Sequence, residues 1–126
     1  MHTFEELVSV VKILRSEQGC SWDRKQTFES LKPCILDEAR EVAEAVDKQD
    51  MDNLCEELGD VLFNVLIYSQ IAEEKGCFEL KDVVDGVCEK MIRRHPHVFG
   101  EQKRLSAEES LDLWNTIKKQ EKNKNP

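Results

Sequence analysis

Apolar residues recur every three or four positions along this chain, and that rhythm restricts the fold more than any other feature. Phe4, Leu7, Val8, Val11 and Leu14 follow the spacing of one helix face. A second helical segment carries Leu36, Ala39, Val42, Ala43 and Val46, and a third runs to about Lys75. A fourth spans roughly Leu80 to Arg94, and a last one holds Leu113, Trp114 and Ile117. Alternating apolar–polar runs and Asn-Gly or Asp-Gly hairpin turns are missing. The expected fold is therefore all-α, a bundle of about five helices forming a single domain over residues 1–126, with 120–126 a frayed tail.

Punctuation residues divide the helices. The first ends near Gly19, and "GCSWDRKQ" breaks the period and reads as a loop. Thr27 or Ser30 is expected to cap the next helix, with Pro33 in its first turn, where a missing N–H costs little. "KQDMD" is a short connection with Asp50 or Asp52 as N-cap, and Gly76 is the following C-terminal stop. Pro96 interrupts the fourth helix, and Ser106 with Glu109 makes a capping box for the last. The stretch "VLFNVLIYSQI" is apolar nearly all round, so its helix must be covered on several sides, by its own core and by a second subunit.

Charge narrows the function. The formal net charge is −8, which argues against nucleic-acid or anionic-membrane partners, whose affinity comes from basic patches. The same field repels an anionic small molecule unless bound cations and a local basic patch invert it. Cys20, Cys34, Cys55, Cys77 and Cys88 include no C-x-x-C pair, and no apolar run reaches membrane-spanning length. Without a signal peptide pattern, the expectation is a cytoplasmic protein with reduced thiols.

The acids concentrate in "DEAREVAEAVDKQDMDNLCEELGD". Glu38 and Glu41 lie three apart on the second helix, and Glu57 and Asp60 three apart on the third. A three-residue step places side chains on one helix face, about one turn apart. The short connection predicts that the helices pack antiparallel, so the two pairs can surround one volume. A single E-x-x-E is more often a solvated face. Here Leu58, Val61 and Leu62 are expected to hold Glu57 and Asp60 against the core, where an unpaired charge is costly. Oxygen-only ligands at this density suit a hard divalent cation such as Mg²⁺. A di-iron bundle would need Glu-x-x-His motifs, and none of His2, His95 and His97 follows a glutamate at that spacing.

The main basic segment is "EKMIRRHPHVFG". Lys90 and Arg94 share a helix face and could clamp phosphate oxygens, or the arginines could pair with surface acids. Trp22 and Trp114 are each either packing residues or platforms for a flat ring.

Together, "CSWDRKQTFESL", "LDEAREVAEAV", "EELGDVLFNV" and "EKMIRRHPHVFG" resemble, in order and spacing, the MazG-type nucleoside triphosphate pyrophosphohydrolases of the all-α NTP pyrophosphatase superfamily. The resemblance covers roughly residues 3 to 120. It implies a four-helix core completed by dimerisation, as a homodimer or a dimer of dimers, and Mg²⁺ as cofactor with Mn²⁺ as substitute. It also implies cleavage of an NTP or dNTP to the monophosphate and pyrophosphate, in a house-cleaning role toward non-canonical nucleotides. By position, Glu38, Glu41, Glu57 and Asp60 become metal ligands, with Glu38 or Glu41 serving the attacking water. Lys90, Arg94, Trp22 and Trp114 become substrate-binding residues. Asp37 stands where the family often has glutamate, and Ser21 where it usually has proline. The alternatives are an enzyme narrowed to dCTP, dUTP or phosphoribosyl-ATP, and a non-catalytic nucleotide-binding helical dimer.

Overall fold

The computed structural model describes residues 1–124. In order they form α1 (Phe4–Leu14), α2 (Ser21–Lys25), α3 (Lys32–Asp47), α4 (Met51–Glu74), α5 (Leu80–Arg94), α6 (Pro96–Phe99) and α7 (Ala107–Lys124), with no strand among the described residues. The all-α expectation holds, and the five longer helices are those the periodicity marks out. The two additions are α2, inside the segment read as a loop, and α6, just beyond Pro96. Each is too short for an apolar period to register. The last helix continues through Lys124, so most of the expected tail is helical, while residues 125 and 126 lie outside the described residues.

Several helix ends follow from their sequence. Thr3 caps α1 by accepting from Glu6 N–H (3.1 Å), and Asp50 caps α4 by accepting from Asn53 N–H (3.1 Å). Ser106 and Glu109 exchange the two bonds of a capping box (3.1 and 3.2 Å). The start of α3 differs from expectation. Its N-cap is Leu31, without a side-chain bond, while Thr27 and Ser30 bond each other's backbone N–H and close the preceding turn. Pro33 still occupies the first turn of α3.

Helices α3 and α4 end in the same motif. At the end of α4, Cys77 N–H reaches the Ala72 carbonyl (2.9 Å) and Gly76 N–H the Glu73 carbonyl (3.0 Å), with Gly76 at φ 72°. At the end of α3, Asp50 N–H reaches Ala45 (3.0 Å) and Gln49 N–H reaches Val46 (3.1 Å), with Gln49 at φ 55°. Both are Schellman closures, which favour glycine at the left-handed position. Gly19 meets a different demand. A Cβ there would fall 2.1 Å from the Ile13 carbonyl oxygen, so only glycine lets the chain fold back over the end of α1.

The described chain divides into two compact units, Met1–Leu80 and Lys81–Pro126. In the first, α4 is central and packs against both α3 and α1. Val11, Leu31, Leu66, Ile67 and Ile71 form the buried cluster, with Leu7, Val8, Phe28, Phe63, Tyr68 and Leu80 packed on it. Ala45 and Ala72 are fully buried (0% exposed), small residues at close helix approaches. Two expectations need correction. Leu36 and Val46, read as core positions of α3, are 64% and 53% exposed. Leu58 and Leu62, read as pressing the start of α4 onto the core, are 51% and 39% exposed. The buried cluster takes its α4 residues from the later part of the helix, Leu66 to Ile71. Periodicity identifies an apolar stripe but not what covers it.

Candidate active site

The α3–α4 hairpin determines which acids can meet. Glu41 precedes the end of α3, and Glu57 follows the start of α4, by the same distance of roughly two turns. Folding at residues 48–50 therefore brings them level. Glu38, Glu41 and Glu57 each offer a carboxylate oxygen, and these oxygens lie within 4.8 Å of one another. Glu38 Oε2 and Glu57 Oε2 are buried and have no hydrogen-bond partner.

Glu57 and Glu38 are both raised, each by a different leading cause. Glu57 is pushed up to about 7, first by the adjoining Glu41 carboxyl, then by desolvation and by Glu38. Desolvation is the main cause raising Glu38, reinforced by Glu41 and the charge of Asp60, while hydrogen bonding with Glu57 works against it. Three oxygen donors with two orphaned oxygens have the chemistry of a hard divalent cation site. The residues present fit such an ion, and a cation would supply the partner both oxygens lack.

Asp60, the fourth acid of the sequence pattern, is outside that tight trio. It lines a cleft of about 260 Å³ together with Glu38, Trp22, Gln26, Cys34 and Asn64, floored by apolar side chains including Phe63 and Ile67. Trp22 is thus brought beside the acids, and its ring is largely exposed (69%). Asp37 turns away into an ion pair with Arg40, both exposed, so it behaves as a surface acid.

The segment carrying Trp22 is braced by residues that spacing does not reveal. Arg15, at the end of α1, donates to the carbonyls of Asp23 (2.6 Å) and Gln26 (3.0 Å). Its remaining donors grip both oxygens of Glu74 on α4 (3.0 and 2.6 Å), which lowers the Glu74 pKa. Gln26, itself buried, donates to the Trp22 carbonyl (3.0 Å) and accepts from Ser30 (2.7 Å). Tyr68 donates to the Phe28 carbonyl (3.0 Å) and stacks on that ring. Of these only Tyr68 carries a sequence signal, as a hydroxyl-bearing residue inside an apolar run.

In the second unit, Lys90 is exposed on α5. Arg93 and Arg94 both bond Glu121 of α7, at 2.5 and 2.9 Å. The Arg94 guanidinium also lies over the Trp114 ring, 4.7 Å from its centroid, and His95 meets that ring edge-on at 5.5 Å. Glu121 is accordingly lowered to about 2, first by Arg93 and then by Arg94. The pairing of these arginines with an acid, one of the two readings of the basic segment, is thus realised for both. Arg94 Nε stays buried without a partner.

A helical protein with a level pair of acid-bearing helices belongs to a recognisable class, and comparison places it within one family. The MazG nucleotide pyrophosphohydrolase domain matches residues 26–99, and the chain belongs to that family. It is 53% identical over 121 residues to the nucleoside triphosphate pyrophosphohydrolase/pyrophosphatase MazG of Thermotoga maritima, covering 96% of this chain and 46% of that protein. It is 40% identical over 123 residues to the Escherichia coli nucleoside triphosphate pyrophosphohydrolase, covering 97% of this chain and 47% of that one. The chain therefore spans about half the length of these curated relatives. The crystal structure of a mazG-related protein from Thermotoga maritima superposes with a TM-score of 0.75 at 35% identity, covering 91% of this chain and 98% of that one.

Proposed function

We propose that this chain hydrolyses nucleoside triphosphates to the monophosphate and pyrophosphate, using a divalent cation, Mg²⁺ first and Mn²⁺ as substitute, held by Glu38, Glu41, Glu57 and Asp60. The observation that carries this reading is the trio of carboxylates within 4.8 Å, two of whose oxygens are buried and unpartnered. Family membership and the names of the relatives support the reaction class.

A cation bound there would bridge the anionic substrate to an acidic cleft, polarise the α-phosphoryl group and acidify a coordinated water. Glu38 or Glu41 orients the attacking water and takes its proton. Lys90 and Arg94 offset charge on the departing pyrophosphate, Trp22 supports the nucleotide in the cleft, and Trp114 is a further aromatic contact. Two copies of the chain associate, covering the exposed apolar side chains of α3 and α4, as a homodimer or a dimer of dimers. No helix of the described residues is long and apolar enough to cross a membrane, and the acidic charge disfavours nucleic acid.

The test is product identity. Incubating a nucleoside triphosphate with Mg²⁺ should release equal amounts of monophosphate and pyrophosphate, and EDTA should abolish the reaction. Orthophosphate with a diphosphate would overturn the cleavage site, and no turnover at all would favour a binding protein.

A further inference from the structure

Asn64 is a polar member of the chain's most apolar stretch, and it is buried at 7% exposure near Leu66 and Ile67. Its Nδ2 donates to the Asp60 carbonyl one turn back (2.8 Å). Only the nitrogen can make that bond, so the amide orientation is fixed. Oδ1 then accepts no hydrogen bond among the described residues. That oxygen keeps contact with solvent, so an incoming donor can reach it.

The surroundings indicate what kind of molecule brings it. Asn64 lines the same cleft of about 260 Å³ as Trp22, Phe63 and Ile67, beside Glu38 and Asp60. Apolar walls, an exposed indole and an uncommitted amide oxygen suit a flat heterocycle bearing an N–H group. The cleft's other buried amide, Gln26, has both ends occupied, by Trp22 and Ser30. Trp114 is less available, since Arg94 covers one face and His95 meets its edge.

We propose that Asn64 is a specificity-determining residue whose Oδ1 accepts from the exocyclic amino group of a nucleobase lodged against Trp22. The inference deepens the nucleotide reading above and rests on it. An exocyclic amine projects furthest from its ring, so it is the donor that meets a side chain at the cleft wall. Replacing that amine by a carbonyl sets two acceptors against each other, and a site built to hydrogen-bond rejects such an analogue.

The experiment compares nucleotides that exchange the amino group for a carbonyl, with the adjacent ring nitrogen becoming an N–H, CTP with UTP and ATP with ITP, by pyrophosphate release. The wild type should favour the amino member of each pair by about tenfold or more in kcat/KM. Asn64→Ser should reduce that ratio to about threefold or less, chiefly by raising KM for the amino nucleotide. Serine can keep the bond to the Asp60 carbonyl, as Ser69 does to Val65 in the same helix (2.8 Å), while withdrawing the amide oxygen. Asn64→Leu provides a second variant should serine loosen the helix. Equal or reversed preference in the wild type, or a preference that survives both substitutions, overturns the assignment. Absence of pyrophosphate from all four nucleotides would instead defeat the underlying reading of the reaction.

Discussion

A carboxylate with a buried oxygen beside two other carboxylates holds either a proton or a cation. Glu57 is in that position, and this has consequences for single substitutions. Glu41→Gln and Asp60→Asn should each lower kcat by about 100-fold or more, read as pyrophosphate release. Unchanged helical circular dichroism would separate this loss from misfolding. Glu57→Gln should act in opposite directions on fold and cation. Without metal it removes a repelled charge and should raise the melting temperature above wild type. In millimolar Mg²⁺ the wild type should gain stability, by about 2.7 kcal/mol at 100 times its Kd, and the variant should not. A wild type whose melting temperature ignores Mg²⁺ would count against the site. At this scale the sequence was informative about charge and silent about contact. Three-residue spacing made Glu38 and Glu41 neighbours on one helix, and the short connection made it foreseeable that Glu57 would meet them, but not that Asp60 would stand outside the trio. The Arg15–Glu74 clasp and the meeting of Asn64 with Trp22 in one cleft join chain segments far apart in sequence, for which no local period exists.

Helix ends and the clasps between helices form the next level. Gln49 occupies a left-handed position that Gly76 fills comfortably in the equivalent turn. Gln49→Gly should therefore raise unfolding free energy by about 0.5 to 1 kcal/mol, and Gly76→Ala should lower it by about 1 kcal/mol, both by urea titration. The Arg15–Glu74 pair matters more. The Arg15 side chain is only 7% exposed, so Glu74→Ala leaves a nearly buried cation unpaired and should cost about 3 kcal/mol. It should also loosen the α2 segment, seen as faster amide exchange at Asp23 and Gln26. Glu121 provides the pH test. Its folded pKa, about 2, lies below the ordinary 4.5, so its contribution is present above about 4.5 and is lost as pH falls toward 2. The stability gap between wild type and Glu121→Gln should be full at pH 7 and close across that window. A gap unchanged at low pH would contradict the ion pairs. The caps at Asp50 and Ser106 were legible because side chain and backbone partner lie within three residues. The cap expected from Thr27 or Ser30 is made by neither, because those side chains close the turn before α3 and the helix starts after Leu31, which packs into the core.

For the whole molecule, the folded chain leaves Leu36, Val46, Met51, Leu58 and Leu62 exposed on α3 and α4. An all-α class could be read from the period, but the covering of these residues could not, because a stripe that faces another subunit has the same spacing as one that faces the core. Sedimentation should return at least twice the chain mass at micromolar concentration, with a melting temperature that rises with protein concentration. A concentration-independent single-chain mass would refute association through this face.

The three-residue connection at 48–50 also has a kinetic meaning. The acids that would grip the cation span only residues 38 to 60 and are joined by one tight reversal, so little chain entropy separates them in the unfolded state. Assembly of the ligand set therefore requires closing only a hairpin, an event of low contact order that can precede the docking of α1. Divalent cations should consequently speed folding as well as slow unfolding, tying the birth of the fold to the ion its chemistry uses.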